Sequence, residues 1–307
     1  MNYHELPKLR DSLSYLYVEH AILDKKQQAI EFVKEEGRIQ VPTAKLSVLM
    51  LGPGTSITHA AVALLARSGT SVVWTGQDVT KFYAQGTGET RKGYRLLLQA
   101  ELVSDAEKRL EVVKRMYQHR FKDEEVLDPD LSLQQIRGKE GARVRETYRR
   151  ASQRYGVEWQ GRKYKRGSWG TTDPVNRGLS AANALLNGLC HAAIVSGGYS
   201  AGLGFIHTGK QLSFVYDIAD LYKAELTIPI AFEETAKGTE KLESRVRAAC
   251  RQGFREAKLL QRVLPDIDDL LNLLTNAEDT QPIEPEGDID EDGALPTKLW
   301  SQIEGDD

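Results

Sequence analysis

The chain has 307 residues, of which 40% are hydrophobic and 28% charged, a composition that suits a soluble globular protein with room for two domains and a sizeable core. No apolar run reads as long enough to cross a membrane, no signal-peptide pattern opens the chain, and Cys190 and Cys250 lack metal-type spacing, so buried thiols in a cytoplasmic protein are expected. The net charge of −3 hides a split: Asp266 to Asp307 holds fourteen acidic residues and one basic, Lys298, which leaves 30 acids and 40 bases for the rest of the chain. A basic body suits an anionic partner such as nucleic acid.

In chain order, the first third reads as β-rich. Strands are expected over Ser12 to Glu19, Ile30 to Val33, Arg38 to Val41 and Lys45 to Leu51, the last stopped by Gly52-Pro53-Gly54. Thr55 or Ser56 is expected to cap a short helix through Arg67, followed by strands at Ser71–Trp74 and Lys81–Ala84. The GPGT turn lacks the Lys-Ser/Thr of a phosphate-binding loop and reads as the end of a strand. The Gly-, Thr- and charge-rich stretch from Gln85 to Gly93 marks a domain boundary, giving domains over 1–88 and 89–275.

Beyond it the periodicity turns helical. Ala106, Leu110, Val113 and Tyr117 share one face, and from Ser132 a second helix carries Ile136, Glu140, Val144 and Tyr148 on its inner side amid many arginines. Gly156 to Asp173 interleaves Trp159, Tyr164 and Trp169 with Arg162, Lys163, Lys165 and Arg166, a pattern suited to stacking on unpaired bases, with Trp159 expected in the core. Leu179 to Ser196 is a small-residue helix, followed by flexible glycines to Gly204. Helices are expected over Lys223 to Ala236, kinked at Pro229, over Glu240 to Leu260, and over Asp266 to Leu274. Arg247, Arg251, Arg255 and Lys258 line one face like a phosphate track, and residues 276–307 read as an acidic, disordered tail. The fold class is α+β: a small N-terminal β domain followed by a larger all-α domain.

The stretch from Ala201 to Lys223 concentrates the ionisable groups. Asp217 and Asp220, three apart on a helix, share a face, and His207 precedes them on a glycine-flanked turn. Imidazole and carboxylates are ligand types that divalent cations accept. The same residues also suit a plain structural role: a capping histidine, an Asp pair facing Lys223, and Glu140 paired with Arg143 or Arg137.

The run GFIHTGKQLSFVYDIADLYK closely resembles the CRISPR-associated integrase, the larger subunit of the spacer-acquisition complex, in its type I-E form. IRGKEGARVRETY resembles that family's glutamate motif, and LGPGTSITHAAVALLARSGTSVVWTG and VRAACRQGFR extend the likeness over about residues 9–262. The resemblance implies metal-dependent joining of a DNA fragment to a CRISPR array, the 3′-hydroxyl of the fragment attacking a phosphodiester of the leader-repeat DNA. It implies Glu140, His207 and Asp220 as ligands of Mg²⁺ or Mn²⁺, with Asp217 as the adjacent catalytic carboxylate. It also implies a homodimer, with two dimers bridged by a dimer of a small partner subunit, holding a duplex with single-stranded ends.

The expected DNA contacts are His20, Lys81, Tyr164, Trp169, Lys210, Tyr216, Lys223, Arg247, Arg251 and Arg255. His20 stands where relatives carry an end-stacking tyrosine, and Ser56 and Ala63 stand where they carry arginines. Two other classes share this residue set: a stand-alone metal-dependent nuclease, and a catalytically silent subunit that only holds DNA.

Overall fold

The computed structural model describes residues 15–35, 37–46, 48–76, 82–86, 93–120, 131, 133–162 and 173–272. The N-terminal part holds two four-stranded sheets. β1 (Tyr15–Val18), β5 (Val48–Leu51) and β7 (Ser71–Thr75) run parallel, with β8 (Phe82–Gly86) antiparallel at the edge of β7. β4 (Gly37–Pro42), β3 (Ala29–Lys34) and β2 (Ile22–Lys26) form an antiparallel meander, closed by the short parallel β6 (Ser56–Ile57). The β2 strand, ILDKK, escaped the sequence reading because only its second residue, Leu23, is buried. Hydrophobicity is a weak marker for a strand whose other side chains face water.

β5 is VLML and buried at every residue, as expected of a parallel strand covered on both faces. One side, with Leu49 and Leu51, packs on Leu23, Ile30 and helix α1 (His59–Arg67). The other side, with Val48 and Met50, joins Val73 and the helical core. The two parts of the chain thus share an apolar seam. At its rim, Phe82 of β8 stacks on His191 with ring centroids 3.7 Å apart. Burial holds His191 neutral, with its pKa down to about 4.

Thr58 caps α1 by accepting from the Ala61 N–H, whereas Thr55 and Ser56 were the expected caps. Ser56 instead pairs with Ile22 in β6, and Thr55 turns its hydroxyl back onto the Gly52 carbonyl. The two turn glycines have a packing reason. A Cβ at Gly52 would lie 2.3 Å from the Tyr17 hydroxyl, and Gly54 has φ +71° and supports the His20 ring.

Helix α5 (Pro174–Ser196) is the axis of the helical part. Asp173 caps it and Pro174 opens it, a pairing that suits a first turn. It is long and apolar enough to cross a membrane by length and composition, contrary to the sequence reading, but most of it is buried. Small residues allow that close packing: at Gly178 a Cβ would meet the Thr235 hydroxyl and the Ala231 carbonyl.

Around α5 stand α2 (Tyr94–Ser104), α3 (Ala106–Arg120), α4 (Leu133–Tyr155), α6 (Ser213–Tyr222), α7 (Ile228–Ala236), α8 (Leu242–Glu256) and α9 (Leu259–Leu270). A π turn, Lys223–Thr227, joins α6 to α7. Pro229 therefore sits in the first turn of α7, where its missing N–H costs little. The expected single helix from Glu240 to Leu260 is broken at Ala257 and Lys258, the latter left-handed at φ +49°. The last helix accordingly begins at Leu259, earlier than expected, to bury Leu260, Val263, Ile267 and Leu270. Trp159, expected in the core, is partly buried at the edge of a small cluster, where it stacks on Tyr148 and leans on Phe232.

Candidate metal centre and nucleic-acid interface

Four elements supply the candidate site: α3 ends on Arg120, α4 carries Glu140, the 197–212 loop carries His207, and α6 carries Asp217 and Asp220. The loop looked flexible in sequence, but it is bonded throughout its first half. Buried Gln99 donates to the carbonyls of Ser200 and Leu203 and accepts from the Ser200 N–H. Arg109 donates through Nε and Nη2 to the Phe205 carbonyl at 2.8 and 2.7 Å. Arg95 donates to the Gly197 carbonyl and pairs with Asp268. Gly204 lets the turn close, since a Cβ there would come within 2.3 Å of the His207 carbonyl oxygen.

Asp217 is fully buried and ties this turn to α6. Its Oδ2 accepts from the N–H of Phe205 at 2.6 Å and of Ile206 at 3.0 Å. Its Oδ1 accepts from the N–H of His207 at 2.9 Å and faces His207 Nδ1 at 2.7 Å. A carboxylate with both oxygens engaged by main-chain donors is an acceptor, so the Nδ1 carries the proton and Nε2 is left for another partner. That hydrogen bond, foremost, raises the His207 pKa above its ordinary value. The ring is half-exposed and edge-on to Tyr216.

Asp220 and Glu140 meet across a guanidinium. Arg120 Nη1 lies 2.5 Å from Glu140 Oε1 and 3.8 Å from Asp220 Oδ2. Lys223 stands against Asp220 Oδ1, off the hydrogen-bond direction, so that buried oxygen has a cation beside it and no hydrogen-bond donor. Glu140 therefore pairs with Arg120, a partner no local spacing pointed to, rather than with Arg143 or Arg137. Tyr117 borders the site, its pKa pushed up to about 12 by burial and by the Glu140 charge.

Glu140 and Asp220 thus meet at one guanidinium, and His207 feels the Asp220 charge. Among the described residues, no three His, Cys, Asp or Glu side chains converge as a ready cation cage; Arg120 stands between Glu140 and Asp220, and Lys223 beside Asp220. Asp217 and Asp220 have parted roles: one holds backbone, the other faces cations. The donor set still fits a hard divalent ion: two carboxylates, one of them with a buried oxygen that accepts no hydrogen bond, and an imidazole nitrogen left open.

Of the expected DNA contacts, Lys210 is exposed on the site loop, Tyr216 lies beside His207, and Lys223 is engaged with Asp220. Arg247, Arg251 and Arg255 line a side of α8 that flanks the buried Val246, Cys250 and Phe254, with Arg251 and Arg255 exposed and Arg247 half-buried. Lys258 leaves that line at the helix break. His20 is exposed, with φ +50°, against the GPG turn. Arg162 is exposed and donates to the carbonyl and side chain of Asn176 at the start of α5. Lys81, Tyr164 and Trp169 lie outside the described residues, as does the 276–307 tail.

The family model for "CRISPR associated protein Cas1" matches residues 14–127 and 122–247. The chain belongs to the Cas1 family. A Thermus thermophilus relative, "CRISPR-associated endonuclease Cas1 2", is 50% identical over 305 residues, covering 99% of this chain and 91% of the relative. The Escherichia coli K12 protein "CRISPR-associated endonuclease Cas1" is 40% identical over 264 residues, 86% of each chain. Among solved Cas1 structures, that of a TtCas1–DNA complex superposes with TM-score 0.78 at 52% identity, over 87% of this chain and 99% of that one. A casposase bound to its integration product shares the fold, at TM-score 0.54 and 15% identity over 90% and 100% of the two chains. The Cas1 fold thus accounts for both the β part and the helical part described above.

Proposed function

We propose that this Cas1-family chain is a metal-dependent DNA integrase of the type I-E form, which inserts short DNA fragments into a CRISPR array. The observation that supports this reading is the pair Glu140 and Asp220, brought from two helices to one guanidinium, with the Asp220 charge felt by a His207 whose Nδ1 is held by Asp217. Kinship with proteins named CRISPR-associated endonucleases, and with a Cas1 solved on DNA, supports it. The type I-E assignment rests on the runs GFIHTGKQLSFVYDIADLYK and IRGKEGARVRETY. Residues 1–88 and 89–275 serve as the two domains, working in the cytoplasm as a homodimer bridged by a small partner subunit.

Glu140, Asp220 and His207 Nε2 would hold Mg²⁺ or Mn²⁺. Such an ion supplies charge stabilisation at the phosphoryl oxygen and at the leaving oxygen. The residues do the rest. Asp217 orients His207 and fixes its tautomer, as partners of ligating histidines commonly do. Lys210 and Tyr216 flank the approach to His207, and Arg247, Arg251 and Arg255 hold the phosphates of the duplex, with Lys81, Tyr164, Trp169 and His20 along its path and ends. In the reaction the fragment's 3′-oxygen bonds to phosphorus and the repeat's P–O3′ bond breaks. The proton lost from the attacking hydroxyl is balanced by one gained at the leaving oxygen.

The test is joining of a 3′-ended fragment to supercoiled DNA carrying a leader and repeat, with the small partner subunit and Mg²⁺ or Mn²⁺ present. Glu140→Ala, His207→Ala and Asp220→Ala should each lower joining by about 10²–10³-fold with DNA binding retained, because phosphate contacts supply most of the affinity. Cleavage without joining would instead identify a stand-alone nuclease. Wild-type joining by Asp220→Ala would sink the assignment.

A further inference from the structure

Arg120 and Lys223 are the nearest charged neighbours of the two carboxylates, and both are built into the fold. Arg120 is almost entirely buried and Lys223 three-quarters buried. Each follows a residue bound to the same carboxylate. His119 Nε2 faces Asp266 Oδ1 at 3.4 Å, and the Tyr222 hydroxyl donates to Asp266 Oδ2 at 2.7 Å. Tyr222 is fully buried, and α9 delivers Asp266 between the end of α3 and the end of α6. One α9 carboxylate therefore fixes the residues immediately before both cations. In sequence, Asp266 is the expected start of the last helix, with nothing to link it to α3 or α6.

In the ion pairs of the described residues, two carboxylates face two cations, so the charge of the Glu140–Asp220 pair is largely offset. A divalent cation entering there meets like charge as well as ligands. At separations of a few ångströms in a partly buried site, that repulsion rivals the attraction of the carboxylates. A phosphodiester changes the balance. It gives Arg120 an acceptor to replace a carboxylate oxygen, and a guanidinium suits both partners equally.

The geometry points to Arg120 as an exchange residue, held by the His119–Asp266–Tyr222 clamp, that passes from the Glu140–Asp220 carboxylates to a DNA phosphate as the divalent cation enters. Metal and DNA binding are then coupled, and by linkage each strengthens the other. This rests on the metal site proposed above. Arg120 touches substrate in this scheme, whereas Asp266 acts through its neighbours and is a positioning residue.

The experiment is a titration of the full-length protein with Mn²⁺, reading free Mn²⁺ by electron paramagnetic resonance, with and without a short duplex bearing single-stranded 3′ ends. In the wild type, DNA should tighten Mn²⁺ by about tenfold or more. Arg120→Gln should bind Mn²⁺ about tenfold tighter without DNA, and the gain from DNA should shrink. Arg120→Lys, which keeps the charge, should stay near wild type without DNA. Asp266→Asn should shift partway toward Arg120→Gln. If Arg120→Gln does not fold, Lys223→Gln carries the same expectation.

Mn²⁺ affinity without DNA that is unchanged in both charge-removing variants would overturn the exchange while leaving the metal site standing. Mn²⁺ binding indifferent to Glu140→Gln would overturn the metal site, and the exchange with it.

Discussion

Asp217 and Asp220 are one helical turn apart, yet replacing them should give opposite signatures. Asp217 is fully buried, and its two oxygens receive four hydrogen bonds, three from main-chain N–H groups and one from His207 Nδ1. Asp217→Asn keeps one oxygen, so at least two of these bonds are lost and an NH₂ group is aimed at N–H donors. Two hydrogen bonds to a charged group amount to about 3–6 kcal/mol, and relief of the buried charge returns part of that. A net loss of about 3 kcal/mol is expected, a large share of a stability of about 5–15 kcal/mol. Asp220→Asn removes largely buried ion pairs with Arg120 and Lys223 but orphans no main-chain donor and leaves Arg120 its Glu140 partner, so it should cost less than Asp217→Asn, about 1–2 kcal/mol. Urea denaturation followed by circular dichroism measures both. The His207 pKa, read by NMR, should fall toward the ordinary histidine value in Asp217→Asn, since the Asp217 hydrogen bond is the main cause of its elevation. A wild-type urea midpoint together with an unmoved His207 pKa in Asp217→Asn would refute the reasoning.

Three further outcomes are expected. Gly204→Ala should displace the His207 turn, because the added Cβ meets backbone atoms of His207 and Ser213 at 2.3 and 2.8 Å; a stability loss of about 1–3 kcal/mol with loss of DNA joining is expected, and a fully active, equally stable variant would show that the turn yields freely. His191, with its pKa lowered to about 4, leaves the unfolded chain binding the extra proton first, so its contribution to stability is intact above pH 6.5 and is lost as pH falls toward 4; His191→Gln should flatten that part of the stability–pH curve relative to wild type. Deleting residues 276–307, which carry eleven acids and Lys298, should strengthen non-specific DNA binding at low salt and matter less at high salt, as measured by fluorescence anisotropy at two ionic strengths.

The sequence by itself determined the order of the parts and the identity of the candidate ligands. The β-rich first third, the helical remainder, the inward Glu140 and the Asp217–Asp220 pair all follow from periodicities of two and of 3.6 residues, which are local properties of the chain. Long motifs made the family legible for the same reason: they keep their spacing wherever the chain folds. Tertiary structure alone decided what each group faces. Arg120 reaches Glu140 and Asp220 from the end of another helix, and an arginine in a last turn is ordinary in sequence. Asp217 and Asp220 differ in role because one points at a backbone turn eleven residues upstream and the other at cations, a distinction their shared helical face does not carry. Asp266 passes from the expected first residue of the last helix to its middle because α9 starts earlier, drawn in by the burial of Leu259, Leu260, Val263 and Ile267, and there it reaches Tyr222. Charge partners are set by distances in space, and a chain encodes those only through the packing of its apolar faces.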